Sequence, residues 1–277
     1  MDIATILGLL IAFGAIFVAG WVGGTDPHIV FGRWEALVLI LGGTIGATLV
    51  SFPLRTFVHG FFGGFKTVFV QPVYHERELI ATLVSFAEKA RREGLLALEN
   101  EAAALDDEFM RGGIQLVIDG RDTDVIRKVL ETEASHVQER GTKAEAVFTN
   151  LGGYSPTLGI IGTVLGLIGM LRGLAAAATS SNVAGSIGVA TAQAFVATFF
   201  GILFANLLWL PMATKIKERY GQLLLVREIM IEGILSIQAG DNPRLLEERL
   251  NAFLDPSERE TEIQEGGAVA EPSFSPS

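Results

Sequence analysis

Three threonines lie inside long uncharged runs: Thr163 in GIIGTVLGLIGM, and Thr191 and Thr198 in the apolar stretch 187–210. A hydroxyl oxygen in such a setting can ligate a hard cation such as sodium, or bond to water along a proton path. A membrane threonine also commonly bonds the carbonyl four residues earlier, which for Thr198 is Ala194. Both accounts fit the residues. No Asp, Glu or Lys stands in the middle of an apolar run, although an ion-driven machine generally needs an ionisable group in the membrane. If ions pass here, a partner must supply that carboxylate. The four histidines, His28, His59, His75 and His136, fall into no ligand spacing, and cysteine is absent. A metal site is therefore not expected. With no Walker loop, no GxSxG and no close carboxylate pair at depth, neither an enzyme nor a bound cofactor is expected.

Two prolines bracket the same region. Pro156 opens the run GGYSPTLGIIGTVLGLIGMLRGL (152–174), and Pro211 closes the next one. Proline removes a backbone hydrogen bond and can hinge a helix. Pro156 also fits a first-turn helix proline. Pro211 fits that role less well, because helical pattern continues after it. Gly162 and Gly166, with Ser186, Ala190, Ala194 and Thr198 at four-residue steps, make smooth faces that let backbones approach closely. Such faces serve packing within the chain or contact with a partner helix.

These residues need elements to hold them. The chain has 277 residues, is 49% hydrophobic and only 19% charged, a balance that indicates an integral membrane protein. The net charge of -10 argues against nucleic acid as a partner. Residues 3–22 and 36–52 are apolar enough to span, with a Gly-Gly and Asp-Pro turn between them. Gly42 and Gly46 give the second span a GxxxG spacing. Met1-Asp2 lacks a basic n-region, so the first span is expected to be retained. The charged segment that follows reads as helical. Within it, 57–69 suits an interfacial helix, and 76–90 and 122–140 are amphipathic helices. GIQLVIDG (113–120) fits either a helix or a strand, and its neighbours favour a helix. Helical pattern resumes over 213–238. Asp241-Asn242-Pro243 then caps a last helix ending near Leu254.

The reading is an all-α integral membrane protein with four transmembrane helices in two hairpins and a helical cytoplasmic domain. Its segments are a first hairpin (1–52), a cytoplasmic helical domain with the interfacial helix (53–150), a second hairpin lining an ion path (151–211), a cytoplasmic helical extension (212–254) and a disordered tail (255–277). Lys and Arg set the orientation. The loop between the first two spans holds one, Arg33, whereas 53–150 holds twelve and the part after Pro211 holds seven. The positive-inside bias puts the long segment and both termini in the cytoplasm.

With these features the chain resembles the flagellar motor stator subunits of the MotA/PomA family. The N-terminal MDIATILGLL resembles PomA-type members. GGYSPTLGIIGTVLGLIGML and ATFFGILFANLLWLPMATKIK resemble the family's third and fourth membrane helices, and KARREGLLALE its cytoplasmic motif. The likeness covers roughly 1–250. It implies an inner-membrane stator in which five such subunits surround a dimer of a MotB or PomB partner carrying the critical aspartate. Flow of Na+ or H+ would then drive the rotor. It also implies roles for residues. Thr163 and Thr198 match ion-path threonines of sodium-type members, while Ala197 departs from that pattern. Pro156 and Pro211 match the prolines tied to conformational change. Arg91 and Glu99 match the charged pair that contacts the rotor protein FliG, and Arg92 an adjacent basic position. A solvated helix face is the plainer account of those three charges. The rival is an ExbB or TolQ relative that powers another envelope process. Its three-span layout, with the large loop after the first span, fits the paired spacing here less well.

Overall fold

A computed structural model describes residues 3–24, 30, 32, 34–70, 74–177 and 183–254. His28, Arg33, much of the first loop, the centre of the second and the tail 255–277 lie outside the described residues, as does the side chain of Ser186. Every regular element among the described residues is helical. Four helices are long and apolar enough to cross a membrane.

In chain order the first helix is α1 (Ile3–Val22). Next comes α2 (Trp34–Ser51), which contains a π-helical turn at Val38–Gly42. Pro53 and an extended Phe52 end α2 and start α3 (Leu54–Phe69). Then follow α4 (Glu76–Glu93), α5 (Glu99–Ala103) and α6 (Glu108–Ile118). The GIQLVIDG segment is thus helical to Ile118. α7 (Thr123–Ala177) is a single helix of 55 residues. α8 (Val183–Phe204) passes through a second π-helical turn at Ala205–Trp209 into α9 (Leu210–Ala239). α10 (Pro243–Asn251) ends the described chain, with Asn242 capping Arg244 N at 3.1 Å and Pro243 in the first turn.

The continuity of α7 and of α8–α9 corrects the sequence reading at both prolines. Pro156 lies in the interior of α7, not in a first turn. Pro211 lies just inside α9, so that the helix does not end there. Apolar packing on both sides holds each helix through its proline.

The chain divides into two compact units. One comprises Met1–Pro72 and Glu139–Tyr220 and holds the membrane spans with α3. Its aromatic core stacks Phe61 of α3 on Phe148 of α7 at 5.8 Å, with Trp209 at 6.4 Å from Phe61. α3 buries a stripe of Phe57, Gly60, Gly64 and Val68. A β-carbon on Gly64 would lie 2.5 Å from the Phe148 ring, so only glycine allows this approach. Its other face leaves Leu54 and Phe62 exposed, as a helix lying in an interface would. α1 buries no residue.

The other unit comprises Val73–Gln138 and Gly221–Ser277. Leu83, Leu98, Ile114, Ile126, Leu130, Ile229, Ile234 and Leu246 form its closed apolar core. Asp107 caps α6, accepting from Met110 N at 2.9 Å, and also binds Arg227 at 2.7 Å. That guanidinium lies over the Phe109 ring at 4.4 Å.

Candidate functional site

The site is built on a crossing that only small residues permit. On α7, Gly159, Gly162 and Gly166 face Ala194, Ala197, Thr198 and Gly201 of α8. A β-carbon on Gly201 would lie 2.6 Å from the Ser155 carbonyl oxygen and 3.0 Å from the Gly159 α-carbon. One on Gly162 would lie 2.5 Å from the Ala197 β-carbon, and one on Gly166 2.9 Å from the Ala194 α-carbon. Of the smooth faces seen in the sequence, Gly162 and Gly166 on α7 and Ala194 and Thr198 on α8 are therefore at this crossing within the chain. In contrast, Gly42 and Gly46 of α2 meet nothing within 4 Å.

This close approach brings two hydroxyls together. Thr163 Oγ1 and Thr198 Oγ1 are hydrogen-bonded to each other. Thr163 Oγ1 lies 3.1 Å from Gly159 O on its own helix and 3.1 Å from Ala194 O on the other. Thr198 Oγ1 lies 3.2 Å from Gly159 O across the crossing. Four oxygens thus converge, two hydroxyl and two carbonyl, and only two protons serve their contacts. Both side chains are half-buried. A hydroxyl that donates to a carbonyl keeps lone pairs for a cation or a water proton. The Ala194 carbonyl accepts from Thr163, whereas Thr198 bonds across the crossing. The local i−4 account thus gives way here to a bond between helices. Thr191 keeps to it, donating to Ile187 O at 2.8 Å, with Met170 Sδ at 3.2 Å. It does not join the four-oxygen cluster.

α2 closes another side. Leu39 lies against Gly162, and Leu158 fits at Gly43, each 3.0 Å from a β-carbon built on the glycine. Ile40, Thr44 and Thr48, at four-residue steps, are all fully buried. Thr48 donates to Thr44 O at 2.8 Å. The hydroxyls of Thr44 and of Ser155, the residue before Pro156, are buried without a partner among the described residues. Sequence reasoning missed Thr44, Thr48 and Ser155. The four-residue spacing of the two threonines was the available signal.

The prolines sit beside this crossing. Pro156 lacks the N–H that would bond Gly152 O, and Pro211 the one that would bond Leu207 O. Leu207 is inside the π-helical turn Ala205–Trp209. Such a turn relaxes the i−4 ladder next to a proline. A β-carbon on Gly152 would lie 2.6 Å from Leu210 Cδ2, so the two proline regions are in contact.

Comparison with known proteins matches this architecture. The pattern of the MotA/TolQ/ExbB proton channel family matches residues 101–229. Motility protein A of Treponema phagedenis is 38% identical over 259 residues, covering 94% of this chain and 96% of that protein. The chain belongs to the motility protein A family. Chemotaxis protein PomA of Vibrio alginolyticus is 34% identical over 96% of this chain and 100% of its own length. The flagellar MotAB stator complex of Bacillus subtilis matches with a TM-score of 0.84 at 33% identity, covering 94% of this chain and 99% of that one. Likeness of this extent to flagellar MotA and PomA chains favours the stator reading over an ExbB or TolQ relative. It also bears out the four-span, all-helical membrane fold.

The family's charged motif lies in the other unit. Arg91, Arg92 and Glu99 are all exposed. Among the described residues no ion pair joins the arginines to Glu99. The tie between α4 and α5 is instead Lys89–Glu101, at 2.7 Å. The hydrogen bond to Glu101 holds the Lys89 ammonium above its ordinary value of 10.5. A raised value in the folded state means the tie is fully present below 10.5 and is lost only at higher pH. Between the charges, Leu96 is 73% exposed.

Proposed function

We propose that the chain is the ion-conducting stator subunit of a bacterial flagellar motor, coupling Na+ or H+ flow to torque on the rotor. The observation that carries this is the four-oxygen cluster of Thr163, Thr198, Gly159 and Ala194. It lies at a glycine-lined crossing near two prolines whose neighbours, Gly152 and Leu210, are packed together, in a chain whose relatives are flagellar MotA and PomA. The cluster offers oxygen ligands but no ionisable group. A MotB/PomB-type partner dimer supplies the membrane aspartate, and five copies of this chain surround it. Ion passage past Thr163 and Thr198 is transmitted to the proline pair, and Arg91, Arg92 and Glu99 meet FliG. Thr191, outside the cluster, lines the path toward the outer side. The complex sits in the inner membrane with both termini cytoplasmic. No catalytic role is proposed.

The exposed apolar side chains of α7 support assembly. Ile160, Val164, Ile168 and Leu171 recur at three- and four-residue steps and lie 49–60% exposed. Such a face is stable only against lipid or other helices.

The test is swimming speed of source cells with the gene deleted and restored, across a sodium series at fixed pH. Recovery with speed rising with sodium supports a sodium stator, and recovery indifferent to sodium a proton stator. Undiminished swimming of the deletion strain, with no second stator present, overturns the reading.

A further inference from the structure

A crevice of about 360 Å³ opens beside the π-helical turn, away from the threonine cluster. α1 contributes Ala4, Thr5, Gly8, Leu9 and Ala12. The other wall is Asn206, Leu207, Leu208, Pro211, Met212 and Lys215, with Val68 of α3. The lining is apolar along most of its length and polar at Asn206, whose amide donates to Ile202 O, and at Thr5 and Lys215, which are hydrogen-bonded to each other. From Ala4 to Ala12, at 1.5 Å per residue, the crevice runs about 12 Å. That is close to one leaflet, half of a hydrocarbon core roughly 30 Å thick. Arg219, one turn after Lys215 on α9, adds a second positive charge near the polar end, offset in part by Glu218.

We propose that this crevice binds the acyl chain of an anionic phospholipid, with Lys215 meeting its phosphate. Three observations converge on that ligand. The apolar length suits an acyl chain in one leaflet. The cation stands at the end where the first turn of α1 places the membrane boundary. α1 has no fully buried residue, and a β-carbon on Gly8 would meet nothing within 4 Å, so there is room for a lipid chain between α1 and α9. The crevice touches Leu207 and Pro211, the residues at which the helix ladder is relaxed. A bound chain therefore supports the non-α turn from the side. The inference concerns lipid occupancy alone and stands whether or not the chain conducts ions.

The experiment is native mass spectrometry of the complete complex, purified with its partner chain, after exchange into equal phosphatidylglycerol and phosphatidylcholine. Gly8→Leu fills the crevice, and a β-carbon there meets nothing within 4 Å. Ala12→Leu is the second variant should the first not assemble. The expected results are a retained phosphatidylglycerol on each wild-type protomer and its loss in the filled variant. Lys215→Gln is expected to lower the preference for phosphatidylglycerol about fivefold, as about 1 kcal/mol per basic residue at an anionic surface implies. An unchanged lipid count in the filled variant means that the crevice is closed by protein or binds nothing, and overturns the proposal. Equal retention of both lipids by the wild type overturns it too.

Discussion

Leu210 packs where the missing side chain of Gly152 leaves room, 2.6 Å from the position of its absent β-carbon. Gly152 carries the carbonyl that Pro156 cannot bond, and Leu210 stands next to Pro211. The two breaks in the helix ladders are therefore adjoining surfaces of one joint. A side chain at 152 would push the joint apart. Gly152→Ala is expected to impair swimming as severely as loss of either proline. Normal swimming speed in that variant would show that the two prolines act separately.

The prolines themselves give the opposite signature. Pro156→Leu and Pro211→Leu each restore a backbone donor inside a helix, worth up to about 3 kcal/mol in an unstrained helix interior. The complex is expected to assemble with an unchanged or higher thermal midpoint and to produce no torque. Purified complex alongside full swimming speed in either variant would count against a hinge.

The oxygen cluster separates chemistry from packing. Thr198→Val keeps the shape and removes one hydroxyl and its bond to Gly159 O, a loss of about 0.5–1.5 kcal/mol because Thr163 Oγ1 still reaches that carbonyl. Thr198→Ser restores the oxygen. Ion flux into vesicles holding the complex is expected to fall at least tenfold with valine and to remain within a few-fold of wild type with serine. Equal flux in both variants would remove the cluster from the ion path.

At the crossing, Gly201→Ala sets a methyl against the Ser155 carbonyl and the Gly159 backbone, neither of which can rotate away. The expected cost is about 1–3 kcal/mol of overpacking, read as a lower thermal midpoint. Gly153→Ala is the control. It lies exposed on α7 with nothing within 4 Å of an added β-carbon, and is expected to stabilise by up to about 1 kcal/mol.

Charge reversal of Arg91 and Glu99 is expected to lower occupancy of the motor by labelled stators while leaving ion flux unchanged. Both side chains are exposed, so the change costs little folding stability, and complementary charge governs association more than affinity. Unchanged occupancy would leave the solvated-face account standing.

Much of this architecture could be read from the sequence. The four spans follow from length and apolarity, and the α10 cap from Asn242-Pro243. The helical reading of 113–118 followed from its neighbours. The continuity of α7 was not legible, because Pro156 is a local signal for a break and the packing that overrides it is distant in sequence. Nor was the fate of Thr198. Its own i−4 carbonyl was the nearest acceptor by spacing. The choice of Gly159 depends on how closely two helices approach, which Gly159 and Gly201 decide jointly. The π-helical turns leave no periodicity that a short window detects.

The turn at Ala205–Trp209 also has a consequence for numbering. A π turn accommodates one residue more than an α turn over the same advance along the axis. A deletion of one residue within 205–209 therefore lets the turn close as ordinary α-helix while both flanking stretches keep their facing. The same deletion a few turns later, inside α9, would swing every following side chain by about 100°. It would take Ile229 and Ile234 out of their core. Relatives one residue shorter at this point should thus have a straight fourth helix with its faces in register.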